Sequence, residues 1–246
     1  MTLRNLIYTL KLYGPKKFIF FAYCEIVMHM RHVFLGSYSQ SEDDLIIDAL
    51  LHHKRNGFYI DVGAYDPVRF SNTMRFYRRG WKGINIEPDV EQLQKIKSVR
   101  TRDVNLNIGI SQKSKTLMYW EIYPKTLSTF SSIQAKAYEK DGFRILRKIR
   151  VPVSRLSEVI KKYAHPRIID FLSVDVEGSE LDVLKSNNWN KYRPNILCIE
   201  LSFSEEDTQA DIHRKKLLIR FIESNGYMYL TKTATNYIYV DRKLHI

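Results

Sequence analysis

At 246 residues, 44% hydrophobic and with only two cysteines, the chain is long enough to bury a substantial core and is not a small stapled scaffold. Its formal net charge of +12 leaves three anionic partner classes open: nucleic acid, a phosphorylated substrate or an anionic membrane surface. Cys198 sits inside the apolar run NILCIEL and Cys24 is the only other thiol, which reads as a buried, reduced cysteine in a cytoplasmic protein rather than a disulfide or a metal cluster.

Residues 1 to 37 form a basic extension. Its apolar run KKFIFFAYCEIVMHM is broken by Glu25 and His29 short of the roughly 20 residues a membrane span needs, and no small-residue cleavage site follows. The expectation is an amphipathic helix, either docked on the domain or lying on a membrane with Lys11, Lys16, Lys17 and Arg31 toward phosphates.

A domain is expected over 38 to 246. SEDD, a Ser-x-x-Asp box, predicts a helix from about 42 to 53. GFYIDV is a short apolar strand, SNTMRFYRR a helix stopped by Gly80, KGINIE a second strand, and DVEQLQKIKSV a helix capped by Asp89 with Gln92 three residues on. DVNLNIGIS reads as a third strand. The segment 113 to 135, rich in Ser, Thr and aromatics, reads as a hairpin or lid rather than a helix, and the basic stretch 136 to 167 as a solvated face or a nucleic-acid contact. SRLSEVIKKY is a helix, IIDFLSVDV a strand, SELDVLKS a helix with a Ser179 and Asp182 box, NILCIEL a strand, and ADIHRKKLLIRFIESN a helix ended by Gly226. YMYLT and NYIYV close the chain as antiparallel neighbours.

Nearly all-apolar strands separated by helices predict an α/β fold: a doubly wound, mostly parallel seven-stranded sheet with an antiparallel C-terminal edge, Rossmann-like in its winding. Ligands of such sheets bind beyond the carboxyl ends of the strands, where the winding reverses. Those ends carry Asp61, Glu87, Asn107, Asp175 with Glu177, and Glu200. A pyrophosphate would be repelled there, and Tyr65, Asp66 and Pro67 replace the glycines it needs. S-adenosylmethionine, a cation with a ribose and no phosphate, matches better. Asp61 and Gly63 would meet its methionyl end, Glu87 its ribose hydroxyls, and Asn107 or Ile108 its adenine. Asp175 and Glu177 could orient the sulfonium, hold a divalent cation such as Mg²⁺ with Glu200, or take a proton from a hydroxyl. Each acid also has a plainer reading, as the cap of the next turn or helix.

The blocks SQSEDDLIIDALL, GFYIDVGAYDPVRFSNTMRFYRRGWKGINIEPD, LNIGIS, IDFLSVDVEGSELDVLKSNNWNKYRPNILCIE and NYIYV, in this order, resemble the FkbM-like S-adenosylmethionine-dependent methyltransferases. The resemblance implies a class I methyltransferase fold and O-methylation of sugar or polyketide hydroxyls. It carries cofactor roles onto Asp61, Gly63, Glu87 and Asn107, an active-site role onto Asp175 and Glu177, and a methionyl-carboxylate contact onto Asn72. The chain departs from the commonest pattern after Ala64, where many members read NIG and this one reads YDP.

The resulting expectation is an O-methyltransferase acting on a sugar hydroxyl of a cell-surface glycan or related metabolite, with Asp175 first and Glu177 second as base, and no residue assigned as a metal ligand. His165 and His213 are weaker candidates for that base. Its partner would be a small-molecule or lipid-linked glycan, with peripheral contact to an anionic membrane at the inner face. The alternatives are an RNA or DNA methyltransferase, although Asp175-Val-Glu-Gly stands where amino-group methylation uses an Asn/Asp-Pro-Pro-aromatic loop, and a non-catalytic scaffold that kept the fold.

Overall fold

The computed structural model of the chain describes residues 10–11, 14–16, 18–19, 22–23, 26–27, 30, 34–112, 115–164, 167–201, 203 and 207–244. From residue 43 onward the elements are α1 (Asp43–Leu50), β1 (Phe58–Val62), α2 (Met74–Arg78), β2 (Lys82–Ile86), α3 (Val90–Val99), β3 (Val104–Leu106), β4 (Gly109–Ile110), β5 (Lys115–Tyr123), α4 (Ser132–Lys140), β6 (Arg144–Ser154), α5 (Leu156–Tyr163), β7 (Phe171–Val174), α6 (Glu180–Lys185), β8 (Ile196–Glu200), α7 (Gln209–Ser224), β9 (Tyr227–Lys232) and β10 (Asn236–Asp241).

Strand β1 sets the layering. Successive side chains of a strand face opposite ways, so Phe58, Ile60 and Val62 enter one core cluster while Tyr59 enters the other. Both faces of the sheet must therefore be covered. Leu156, Val159 and Ile160 of α5, Val183 and Leu184 of α6, and Leu218 and Ile222 of α7 cover the first. Ile47 of α1, Met74, Phe76 and Tyr77 of α2, and Trp81 cover the second. The main sheet runs β3-β2-β1-β7-β8-β10-β9, with β10 antiparallel to both its neighbours. This is the doubly wound, seven-stranded sheet with the antiparallel C-terminal edge that the apolar runs predict. Its winding reverses between β1 and β7, which pair in parallel.

The connection from β3 to β7 departs from expectation. The predicted third strand is two: β3 stays in the main sheet, and β4 joins a second, three-stranded sheet of order β4-β6-β5. The segment read as a hairpin or lid rather than a helix supplies β5, a single antiparallel bridge from Trp120 back to Thr129 and the first turn of the helix α4; the long antiparallel partner of β5 is β6, beyond α4. Cations obscure β6 in the sequence, yet Ile149, Val151 and Val153 alternate with exposed Lys148, Arg150 and Pro152, a strand period. The helix α4 carries its own start signal, for Ser131 Oγ accepts the Gln134 N–H at 3.2 Å.

Two predicted caps differ. α1 begins at Asp43 behind Glu42, which is left-handed and makes no side-chain cap bond, so the Ser41 box does not form. Asp44 instead gathers the Ser37 hydroxyl at 2.6 Å and the Tyr38 N–H at 2.8 Å. Ser179 precedes α6 without a side-chain cap bond, and Glu180 turns back to accept the Gly178 N–H at 2.9 Å. Asp89 caps α3 as predicted, accepting from Glu91 N at 2.8 Å and Gln92 N at 3.2 Å.

The described positions between 10 and 35 are helical, and Ile19, Tyr23, Ile26, Met30 and Phe34 among them are exposed. Lys17, Cys24, Glu25, His29, Arg31 and His165 lie outside the described residues. Among the described residues no helix is long and apolar enough to cross a membrane.

Candidate active site

The carboxyl ends of β1, β2 and β7 are stitched together by backbone. Gly63 and Ala64 both donate N–H to the Ile86 carbonyl, at 3.0 and 3.2 Å, and Asp175 N donates to the Val62 carbonyl at 3.0 Å. Gly63 has φ 88°, and a Cβ there would stand 1.7 Å from the Asp175 carbonyl oxygen. No side chain fits, so the glycine is what lets the loop after β1 touch the loop after β7.

Beyond Ala64 the YDP loop holds itself. Tyr65, left-handed at φ 45°, aims its N–H at Glu87 Oε2, 2.9 Å away. Asp66 Oδ1 accepts the N–H groups of Val68 and Arg69, both at 2.9 Å. Arg100, buried at the end of α3, donates Nε to the Pro67 carbonyl at 2.9 Å and Nη2 to Ser71 Oγ at 2.8 Å. The loop has exchanged glycine flexibility for a side-chain turn and a buried guanidinium.

Above these strand ends opens a cavity of about 790 Å³, within the range of small-ligand sites. Gly63, Glu87, Ile108, Asp175 and Glu177 line it. Glu87 also accepts the Asp89 N–H on Oε1 at 2.7 Å. Burial pushes this carboxyl up to about 8, against the pull of its two backbone donors. Asp61, Asn72 and Asn107 stand behind the wall. Asp61 shares the Tyr59 face of β1 and accepts the Thr73 hydroxyl at 2.7 Å, with burial raising it to about 6. Asn72 Nδ2 donates to Ser173 Oγ at 3.0 Å. Asn107 Nδ2 donates to the carbonyls of Glu87 and Pro88, at 3.0 and 2.9 Å, and so fixes the turn that presents Ile108.

Asp175, Glu177 and Glu200 each bring one carboxylate oxygen within 4.8 Å of the others, the one group of metal-binding residue types this compact among the described residues. Burial raises all three; repulsion from Asp175 adds to it at Glu177, which reaches about 8, and at Glu200, while a hydrogen bond with Glu200 partly offsets it at Asp175. Acids so close titrate together and share protons, and an entering cation would drive those protons off.

The cavity is also lined by aromatic rings: Tyr119, Tyr123, Phe130 and Phe143, with the Tyr119 and Phe130 rings 4.8 Å apart between centroids. All four come from the β4–β6 insertion. Sequence reasoning did not single them out, nor Thr129 and Tyr138, which bond to Glu177. The run TFSSIQ, with its helix-start signal after two hydroxyl residues, is the trace they leave in the sequence.

A sheet wound in this order, with acids and a single tight glycine turn where a dinucleotide-binding fold puts a phosphate cradle, defines a class I S-adenosylmethionine-dependent methyltransferase. The Methyltransferase FkbM domain matches residues 61–229, and the chain belongs to that family. Among solved structures it is similar to the O-methyltransferase from Bacillus cereus in complex with SAH, at 9% identity and TM-score 0.44 over 96% of each chain. It is similar also to the O-methyltransferase TomG from Streptomyces achromogenes in complex with SAM, at 10% identity and TM-score 0.43 over 81% of this chain and 79% of that one. No curated protein matches the sequence.

Proposed function

We propose that the enzyme methylates a hydroxyl of a sugar, in a cell-surface glycan or a related metabolite, free or lipid-linked. The observation that carries this reading is that one cavity is lined both by an acid group and by aromatic rings. Asp175, Glu177 and Glu200 line it together with Tyr119, Tyr123, Phe130 and Phe143. Aromatic rings stack on the C–H faces of a sugar, and a carboxylate beside them accepts the proton of the attacking hydroxyl.

In this reading Gly63, Glu87 and Ile108 hold S-adenosylmethionine, with Asp61, Asn72 and Asn107 bracing them from behind. Held there, S-adenosylmethionine would supply its methyl group to the acceptor oxygen, the carbon–sulfur bond breaking as the carbon–oxygen bond forms. Asp175 or Glu177 would take the hydroxyl proton. Alignment of the two reactants supplies most of the acceleration. The mechanism calls for no metal, so turnover should survive chelation. Activity lost to a chelator and restored by Mg²⁺ would reassign the three acids as ligands.

The deciding experiment incubates the protein with methyl-labelled cofactor and separate lipid, glycan and RNA fractions. Label in the glycan or glycolipid fraction supports the proposal. The outward face of β6, with exposed Lys148 and Arg150 beside Trp120 and Met118, favours a second reading, methylation of RNA or DNA, and label in RNA would establish it.

A further inference from the structure

The insertion between β3 and α5 grips Glu177 at two points. Thr129 donates its hydroxyl to the Glu177 carbonyl at 2.7 Å, and Tyr138 on α4 donates its phenol to Glu177 Oε2. Gln134, one helical turn before Tyr138, lies against Gly178, where a Cβ would come 3.4 Å from Gln134 Oε1. Glu177 has φ 54°, a left-handed conformation that a non-glycine residue keeps only where its surroundings over-determine it. The Tyr138 ring meets Phe143 edge-on, with centroids 6.0 Å apart, and Phe143 lines the cavity.

We propose that Tyr138 is the positioning residue of the acid group, holding Glu177 Oε2 so that Oε1 is the oxygen left to the cavity, and linking that choice to the aromatic wall through Phe143. This rests on the reading of Glu177 as a proton-holding member of the site. The other groups facing Glu177 are acids from three elements: Asp175 after β7, Glu180 on α6 and Glu200 ending β8. Tyr138 brings a donor to a cluster of acceptors. A donated hydrogen bond favours the charged carboxylate, so its loss makes Glu177 harder to ionise.

The test needs no acceptor. Calorimetry of S-adenosylmethionine binding, in buffers of different ionisation enthalpy, counts the protons released per cofactor bound at each pH. Tyr138→Phe keeps the ring against Phe143 and removes only the hydroxyl. It should move the pH of greatest release up by about one unit, tenfold in proton affinity. Glu177→Gln should remove part of the release, and adding Tyr138→Phe to it should change nothing more. An unmoved curve in Tyr138→Phe, beside a diminished one in Glu177→Gln, overturns the positioning role and leaves the site reading standing. Undiminished release in Glu177→Gln overturns the site reading itself, and the proposal with it. A shift that persists in the double variant also overturns the proposal, because Tyr138 then acts through another acid.

Discussion

Glu87 accepts two backbone N–H groups at the cavity wall and still has lone pairs on both oxygens for a ribose. Replacing it with alanine removes hydrogen bonds to a carboxylate that is ionised above about pH 8, so in calorimetry above that pH cofactor affinity should fall by about 1.5–3 kcal/mol. Unchanged affinity would take Glu87 out of the ribose site. Asp175→Asn should leave cofactor binding nearly intact and lower turnover by roughly 10²-fold, the scale of a lost general base. The raised acids also set a pH dependence. Glu87 and Glu177 are pushed up to about 8 in the fold from an ordinary value of 4.5, so the folded chain keeps protons that the unfolded chain releases. Stability without cofactor should therefore fall as pH rises from 4.5 toward 8, and Glu87→Gln should flatten that fall in thermal melts.

At the level of elements, α1 and α2 are tied by one buried carboxylate. Asp48 on α1 accepts Arg75 Nε at 2.8 Å and Arg79 Nη2 at 2.6 Å. Burial raises Asp48, but the hydrogen bonds from Arg79, Arg75 and His53 outweigh it and hold the carboxyl well below its usual range. Its contribution is present above about pH 4 and is lost as pH falls, opposite in sign to that of Glu87. Asp48→Asn should cost about 1–3 kcal/mol in denaturant unfolding at neutral pH, because two partly exposed guanidinium groups lose their charged acceptor. The main-sheet strands were legible because an apolar run such as FYIDV or ILCIE has one stable place, the middle of a covered sheet. The strand ends were legible for the same reason, since Glu87 and Asp175 follow directly on those runs. β6 was not, because only one face of RILRKIRVPVS is buried and its cations mask the alternation. Nor was the reach of Tyr138 to Glu177, a contact between residues 39 positions apart that no local pattern announces.

For the molecule as a whole, the net charge of +12 makes an anionic surface the partner to test. Ile19, Tyr23, Ile26, Met30 and Phe34 recur in the sequence at intervals of three or four, and all five are exposed. Lys11 and Lys16 are exposed near the start of this series, and each cation at an anionic bilayer adds about 1 kcal/mol. Full-length protein should bind anionic vesicles in a salt-sensitive way, and a chain lacking residues 1–35 should not, while still binding cofactor. Retention on RNA at physiological salt without vesicle binding would favour the nucleic-acid reading. The contact between Gly63 and the Asp175 carbonyl gives the whole enzyme the character of a jig. In the proposed reading, the loop that would seat the methyl donor and the loop that would carry the base meet through main chain at Gly63 and Asp175, so the span between them is set chiefly by the sheet. Such a gauge has no loose setting. In a urea titration, turnover and tryptophan fluorescence should vanish at one midpoint, and turnover that faded first would mean the two loops part company while the sheet still stands.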